Sequence, residues 1–324
     1  MKRDKSLLLH LHIVQEIVFS WKRSCAEVYQ RKQIRRRIQH HGSSLDPTLA
    51  SFRRNSGARM SHRTTGPALE HAPKTARSKA KSTVALMLTF AAGMVDIVGY
   101  IAVYHWFVAH MTGDTVHFGN QLATEKWTEV AKAGTVIASF VLGSILGRAV
   151  IEAGARKQQR SIASITLLAE AALIFAFMCV RSLMASNAIP LATVLVLLAL
   201  LAGAMGLQTA TLTKIGPLTI HTTFVTGMLN KFAEAMSEWF FALYDQKKKG
   251  LGWRASSQHS AFRNARFMAM IWFSYMFGSI AGTWMYSRWS VWVLYLPIAI
   301  LIASALIDQL CPLTLEEEKE QTQA

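Results

Sequence analysis

Cysteine is scarce in this chain: 324 residues hold three, Cys25, Cys179 and Cys311. They lie far apart with no C-x-x-C pair, so neither a zinc site nor a disulfide framework is expected. Acidic residues are also few, 19 against 35 Lys and Arg. Missing as well are a Walker loop, a dinucleotide fingerprint, a Gly-x-Ser-x-Gly elbow and a His-Glu-x-x-His pair, the familiar signatures of nucleotide enzymes, serine hydrolases and metalloproteases. The long apolar runs do not alternate with period two, which excludes a β-barrel.

What is present is apolar length. Hydrophobic residues make up 52% of the chain and are gathered into blocks. A helix needs about 20 mostly apolar residues to cross a bilayer, and six segments qualify: 83–105, 133–153, 163–183, 189–211, 267–287 and 290–309. A spanning segment must satisfy its backbone hydrogen bonds internally, so each is expected to be a helix. The expected fold class is all-α, a polytopic membrane helix bundle of six transmembrane helices.

Charge divides the chain. Residues 1–82 carry 18 Lys and Arg against 5 Asp and Glu, and residues 83–324 carry 17 against 14. The first 82 residues are read as a basic tail, with one or two amphipathic surface helices or disorder within 1–41 and a Ser-, Arg- and Gly-rich linker over 42–82. Such a tail suits anionic lipid headgroups rather than nucleic acid. The Leu7 to Leu11 block is too short, and followed by too many basic residues, for a signal peptide. Met60 and Met87 are alternative starts. Lys and Arg collect on the cytoplasmic side of short loops. Arg156, Lys157, Arg160, Lys247, Lys248, Lys249 and Arg254 then fall inside with the tail, and both termini are cytoplasmic.

A repeat runs through the apolar part. His110-Met111-Thr112-Gly113 and Thr222-Thr223-Phe224-Val225-Thr226-Gly227 end alike, and each precedes a Gly-Ser-Ile-x-Gly helix, at Gly143 to Gly147 and Gly278 to Gly282. Three helices per half would insert the halves in opposite directions, giving an inverted 3+3 repeat over 83–187 and 188–310, followed by an acidic tail at 311–324. Such repeats commonly hold substrate at their interface near mid-bilayer. The small-x-x-x-small glycine pairs suit close helix packing.

Several polar residues stand out against this apolar background. Asp96 lies mid-helix between Gly93 and Gly99, where an ionised side chain costs on the order of 3 kcal/mol and by default serves a function. Glu170 lies nearer a helix end. Gln208 or Thr209 occupies the place in the second half that Asp96 has in the first. Beyond the first Thr-Gly, Asp114, His117 and Gln121 share one helical face, turned from Val116 and Leu122. Beyond the second, Asn230, Glu234, Ser237 and Glu238 oppose Met228, Phe232, Met236, Trp239, Phe240 and Leu243. Two amphipathic or re-entrant segments could thus line a polar path, with Thr112, Gly113, Thr226 and Gly227 near its centre, or rest at the lipid interface. His110, His117 and His221 flank the Thr-Gly pairs without a metal-ligand spacing. Arg148 and Glu152 are expected to pair at i, i+4.

Gly93-Met94-Val95-Asp96, His110-Met111-Thr112-Gly113-Asp114-Thr115-Val116, Gly206-Leu207-Gln208 and His221-Thr222-Thr223-Phe224-Val225-Thr226-Gly227 together resemble the YoaK-like family of bacterial membrane proteins, a domain of unknown function with about six helices. The resemblance covers roughly Ser82 to Gln309 and implies a bacterial inner-membrane location. Asp114 departs from it, since the family more often has Asn there. The function expected is transport of a small molecule without cofactor or metal, with a homo-oligomer allowed. The alternatives are an intramembrane enzyme using Asp96, Glu170 and the histidines, and a scaffold recruiting partners through its tail.

Overall fold

The computed structural model describes residues 74–157, 159, 161–184, 189–211, 214–215, 218–219, 222–223, 225–248 and 260–310. The surface helices expected within 1–41, the linker as far as residue 73, His221, Lys249, Arg254 and the acidic tail lie outside them. The chain divides into two compact units, Met1–Arg77 and Ser78–Ala324. The second unit carries all that follows.

In chain order the helices are α1 Lys74–Ala102, α2 Met111–Ala123, α3 Trp127–Arg156, α4 Ala163–Leu183, α5 Leu191–Thr211, α6 Val225–Lys248, α7 Ser260–Trp289 and α8 Tyr295–Leu310, with a 3-10 turn at Ser290–Leu294 between the last two. A two-residue antiparallel ladder pairs Lys214 with Thr219 and Ile215 with Leu218. Helix ends follow local chemistry. Tyr104 and His105 adopt left-handed backbone (φ 50° and 64°) just past α1, and Ser290 (φ 52°) breaks the chain after α7. Non-glycine residues take this conformation sparingly, so each marks a forced change of direction. Pro297 falls in the first turn of α8, where its missing N–H has no helical acceptor to lose.

Among the described residues five stretches are long and apolar enough to cross a membrane: Lys81–Ala102, Trp127–Arg156, Ala163–Leu183, Leu191–Thr211 and Ser260–Gln309. The count differs from the expected six because 267–287 and 290–309 fall in one stretch of 50 residues, which the 3-10 turn keeps continuous. α2, with 13 residues, is too short to cross.

Helix α3 is packed inside out relative to a water-soluble helix. Gly143 and Gly147 are buried while Val141, Leu142, Ile145 and Leu146 are exposed. Large apolar side chains facing outward suit hydrocarbon, and small ones facing inward let backbones approach.

Two crossings show how close that approach is. A Cβ on Gly143 of α3 would collide with the Gly203 carbonyl of α5, and one on Gly206 with the Phe140 carbonyl of α3. Between α7 and α1 the same happens at Gly278 against the Phe90 carbonyl and at Gly93 against the Tyr275 carbonyl. Each crossing also carries a serine bond at the same place: Ser144 Oγ donates to Gly206 O at 3.3 Å, and Ser279 Oγ to Gly93 O at 3.2 Å. Gly147 and Gly282 continue the two contacts one turn on, against Leu207 and Ala210 and against Met94 and Ile97.

Candidate functional site

Past the left-handed pair Tyr104 and His105, the chain returns beside the end of α1. Phe107 stacks on Tyr100 (centroids 4.5 Å apart), and Val108 donates its backbone N–H to Asp96 Oδ1 at 3.1 Å. Asp96 itself is buried. Its second oxygen, Oδ2, accepts from the Tyr275 phenol of α7 at 2.6 Å and lies 3.1 Å from His110 Nε2. Hydrogen bonds to a charged group are stronger than neutral ones, so the Val108 N–H and the Tyr275 phenol offset part of what burial of this carboxylate costs.

His110 connects this interior to the outside. Its side chain is 43% exposed where that of Asp96 is 3%. Phe107 packs on its ring, with centroids 4.3 Å apart.

Helix α2 turns its polar face inward. Asp114 and Gln121 are buried, whereas Val116 and Leu122 are exposed. Among the described residues Asp114 Oδ2 and Gln121 Oε1 have no hydrogen-bond partner. Burial first, and then the neighbouring charge of Asp96, push the Asp114 carboxyl from 3.8 up to about 7. His117, one turn along, meets the Trp106 ring edge-on (centroids 4.9 Å apart), and its Nε2 lies 3.3 Å from Gln121 Nε2.

The other expected residues fall elsewhere. Thr112 and Gly113 belong to the first turn of α2 and are exposed, with nothing within 4 Å of a Cβ added at Gly113. No close backbone approach occurs at that glycine. Thr226, exposed, and Gly227, half-buried, likewise sit in the first turn of α6. Asn230 and Glu234 are exposed and bonded to each other at 2.7 Å. Glu152 bonds Arg156 at 3.1 Å, one turn beyond itself. Gln208 is buried and gives its Nε2 to Leu88 O of α1 at 2.7 Å. Thr209, three residues past Gly206 as Asp96 is three past Gly93, shares a hydrogen bond with the Thr223 hydroxyl. Glu170 is buried on α4, and no hydrogen bond joins it to the cluster around Asp96.

Tyr275 and the Val108 N–H are the contributors that residue patterns had not marked. A backbone donor leaves no trace in composition. Tyr275 had one faint signal: it precedes Gly278 by three and so lies on the face that meets α1. Together these groups place a carboxylate, a phenol and an imidazole in one hydrogen-bonded set, able to hold a donor-bearing ligand or to pass a proton outward through the imidazole.

Comparison with known proteins places the chain among membrane proteins. The model of the family described as "Protein of unknown function (DUF1275)" matches residues 84–307. The UPF0700 transmembrane protein YoaK of Bacillus subtilis (strain 168) is 28% identical over 169 residues, covering 52% of this chain and 72% of its own length. No solved structure matches the chain.

Proposed function

We propose that this chain, which belongs to the DUF1275 family and is an integral membrane protein, is a small-molecule transporter whose substrate site is built on Asp96, His110, Asp114 and Tyr275. The observation that carries the reading is the Asp96 carboxylate: buried in the last two turns of α1, gripped by donors from two other segments, and reached from outside by the half-exposed His110. Charged groups in such places are kept for ligands, ions or protons.

The two glycine crossings support an inverted 3+3 repeat, because their contacts match residue for residue: Gly93 with Gly206, Gly278 with Gly143, Ser279 with Ser144. In that scheme Thr209 and Thr223 are the uncharged counterpart of Asp96 and its partners, so the pathway is asymmetric in charge. Loop charge supports cytoplasmic termini in a bacterial inner membrane, and the basic tail is assigned to anionic headgroups. The enzyme alternative asks Asp96 and Glu170 to share a pocket. With no hydrogen bond joining Glu170 to the Asp96 cluster, we do not adopt it.

The test is a thermal-shift screen of the purified protein against metabolites, followed by flux measurement in proteoliposomes. A ligand that binds only the native state raises apparent stability. Asp96→Asn is expected to abolish the shift and the flux of the ligand found. Flux equal to wild type in that variant overturns the site.

A further inference from the structure

Both carboxylate oxygens of Glu170 are sealed inside the protein, and among the described residues neither has a hydrogen-bond partner. Two groups on neighbouring helices are in the same condition: Gln208 Oε1 on α5 and Ser304 Oγ on α8. Both residues are at most 1% exposed.

Register brings Glu170 and Gln208 to one level and Ser304 to within about a turn of it. On α4, Thr166 meets Thr211 of α5 at 2.9 Å, and Ser164 meets Asp308 of α8 at 2.9 Å. Helices α4 and α5 run antiparallel, as do α4 and α8. One turn along α4 from Thr166 is Glu170. One turn back along α5 from Thr211 is Gln208; on α8, Ser304 is one turn back from Asp308, whose partner Ser164 lies six residues before Glu170. The amide of Gln208 has a fixed orientation, because its Nε2 donates to Leu88 O at 2.7 Å and a flip would set oxygen against oxygen. Its Oε1 is therefore an acceptor without a donor.

A carboxylate, an amide oxygen and a hydroxyl are hard oxygen ligands, and one carboxylate supplies a single negative charge. We propose that Glu170, Gln208 and Ser304 form a monovalent-cation site between α4, α5 and α8, occupied by Na+ or by a proton on Glu170. An isolated buried carboxylate is among the costliest groups a protein can hold, and a bound cation removes that cost. Water would fill hydrogen bonds but leave the charge. The ionisable groups on the helices packed against α4 are Tyr295 and Asp308 on α8 and Glu129, Lys132, Arg148, Glu152 and Arg156 on α3, while α5 carries none. Asp308 is engaged by Ser164, and Glu129 and Glu152 by Lys132 and Arg156.

The experiment follows the apparent melting temperature of the full-length protein in two series, NaCl replaced by choline chloride at constant pH, and pH varied in choline chloride. It is run in an Asp114→Asn background to remove the titration on α2. A saturable rise with Na+ that Glu170→Gln abolishes identifies Na+. No response to Na+ but a pH response that Glu170→Gln abolishes identifies the proton. Ser304→Ala, which takes away one ligand oxygen and little volume, is expected to raise the Na+ concentration needed by ~10-fold or to displace the pH midpoint, and it carries the test should Glu170→Gln fail to fold. Responses to both series that are the same in the variants as in the parent, or absent from the parent, overturn the proposal. Stability is read rather than flux, so the outcome is independent of whether the chain transports.

Discussion

Tyr275 donates its phenol proton to Asp96 Oδ2 across 2.6 Å, although 179 residues separate the two. At the matching place in the other crossing, three residues before Gly143, the chain has Phe140. The two crossings thus differ there by little more than one hydroxyl, and that hydroxyl is bonded to the buried carboxylate.

Tyr275→Phe is accordingly expected to fold, since a phenyl ring already fits this geometry once. It should lower stability by about 1.5–3 kcal/mol, the range for a hydrogen bond to a charged group. Denaturant or thermal unfolding of the purified protein measures this. Flux through the proposed site should fall with it, and an unchanged stability would mean the phenol is not engaged.

Asp114 sets a pH dependence. Its carboxyl titrates near 3.8 when unfolded and at about 7 when folded. The folded state therefore binds more protons between those values. The stability this contributes is fully present below 3.8 and is lost as pH rises toward 7. Apparent melting temperature should decline across that window in the wild type and decline less in Asp114→Asn. An equal slope in both proteins rejects the assignment.

Gly278→Ala and Gly143→Ala should both be destabilising, by about 1–3 kcal/mol each, because a methyl group can be admitted only by moving apart two backbones in contact. Similar losses from the two variants are expected from the likeness of the crossings. Gly113→Ala, facing open space within a helix, should instead be neutral or slightly stabilising. Circular dichroism melts of the three variants side by side make the comparison.

Asn230 and Glu234 form an exposed i, i+4 pair on α6. Replacing both by Ala should change stability by about 0.5 kcal/mol or less. Flux of the ligand found in the screen then decides whether this face belongs to the path.

Much of this architecture was legible in the chain itself, for reasons particular to certain residues. Gly143, Gly147, Gly278 and Gly282 announced their helix faces because glycine repeated at four residues is rare without a purpose in apolar sequence. Asp96 announced itself because charge is rare there. The opposed faces of α2 could be counted from Asp114, Val116 and Leu122. What escaped notice depends on the third dimension. Tyr275 looks like one more aromatic in a stretch that also holds Trp272, Phe273 and Phe277. The donor from Val108 is backbone, and it reaches Asp96 only because Tyr104 and His105 reverse the chain. The continuity of Ser260–Gln309 depended on whether the break at Ser290 would open into a loop, and five residues of tight helix closed it.

The paired glycines also limit how this molecule can change shape. Helices pressed carbonyl against glycine have no layer of side chains between them to repack, so sliding one past its mate would first require prising them apart. Any opening and closing is then expected to treat α1 with α7 as one stiff lever and α3 with α5 as another. The bending would fall to the short joints between them, among them the left-handed pair Tyr104 and His105, a few residues from the carboxylate at the proposed site.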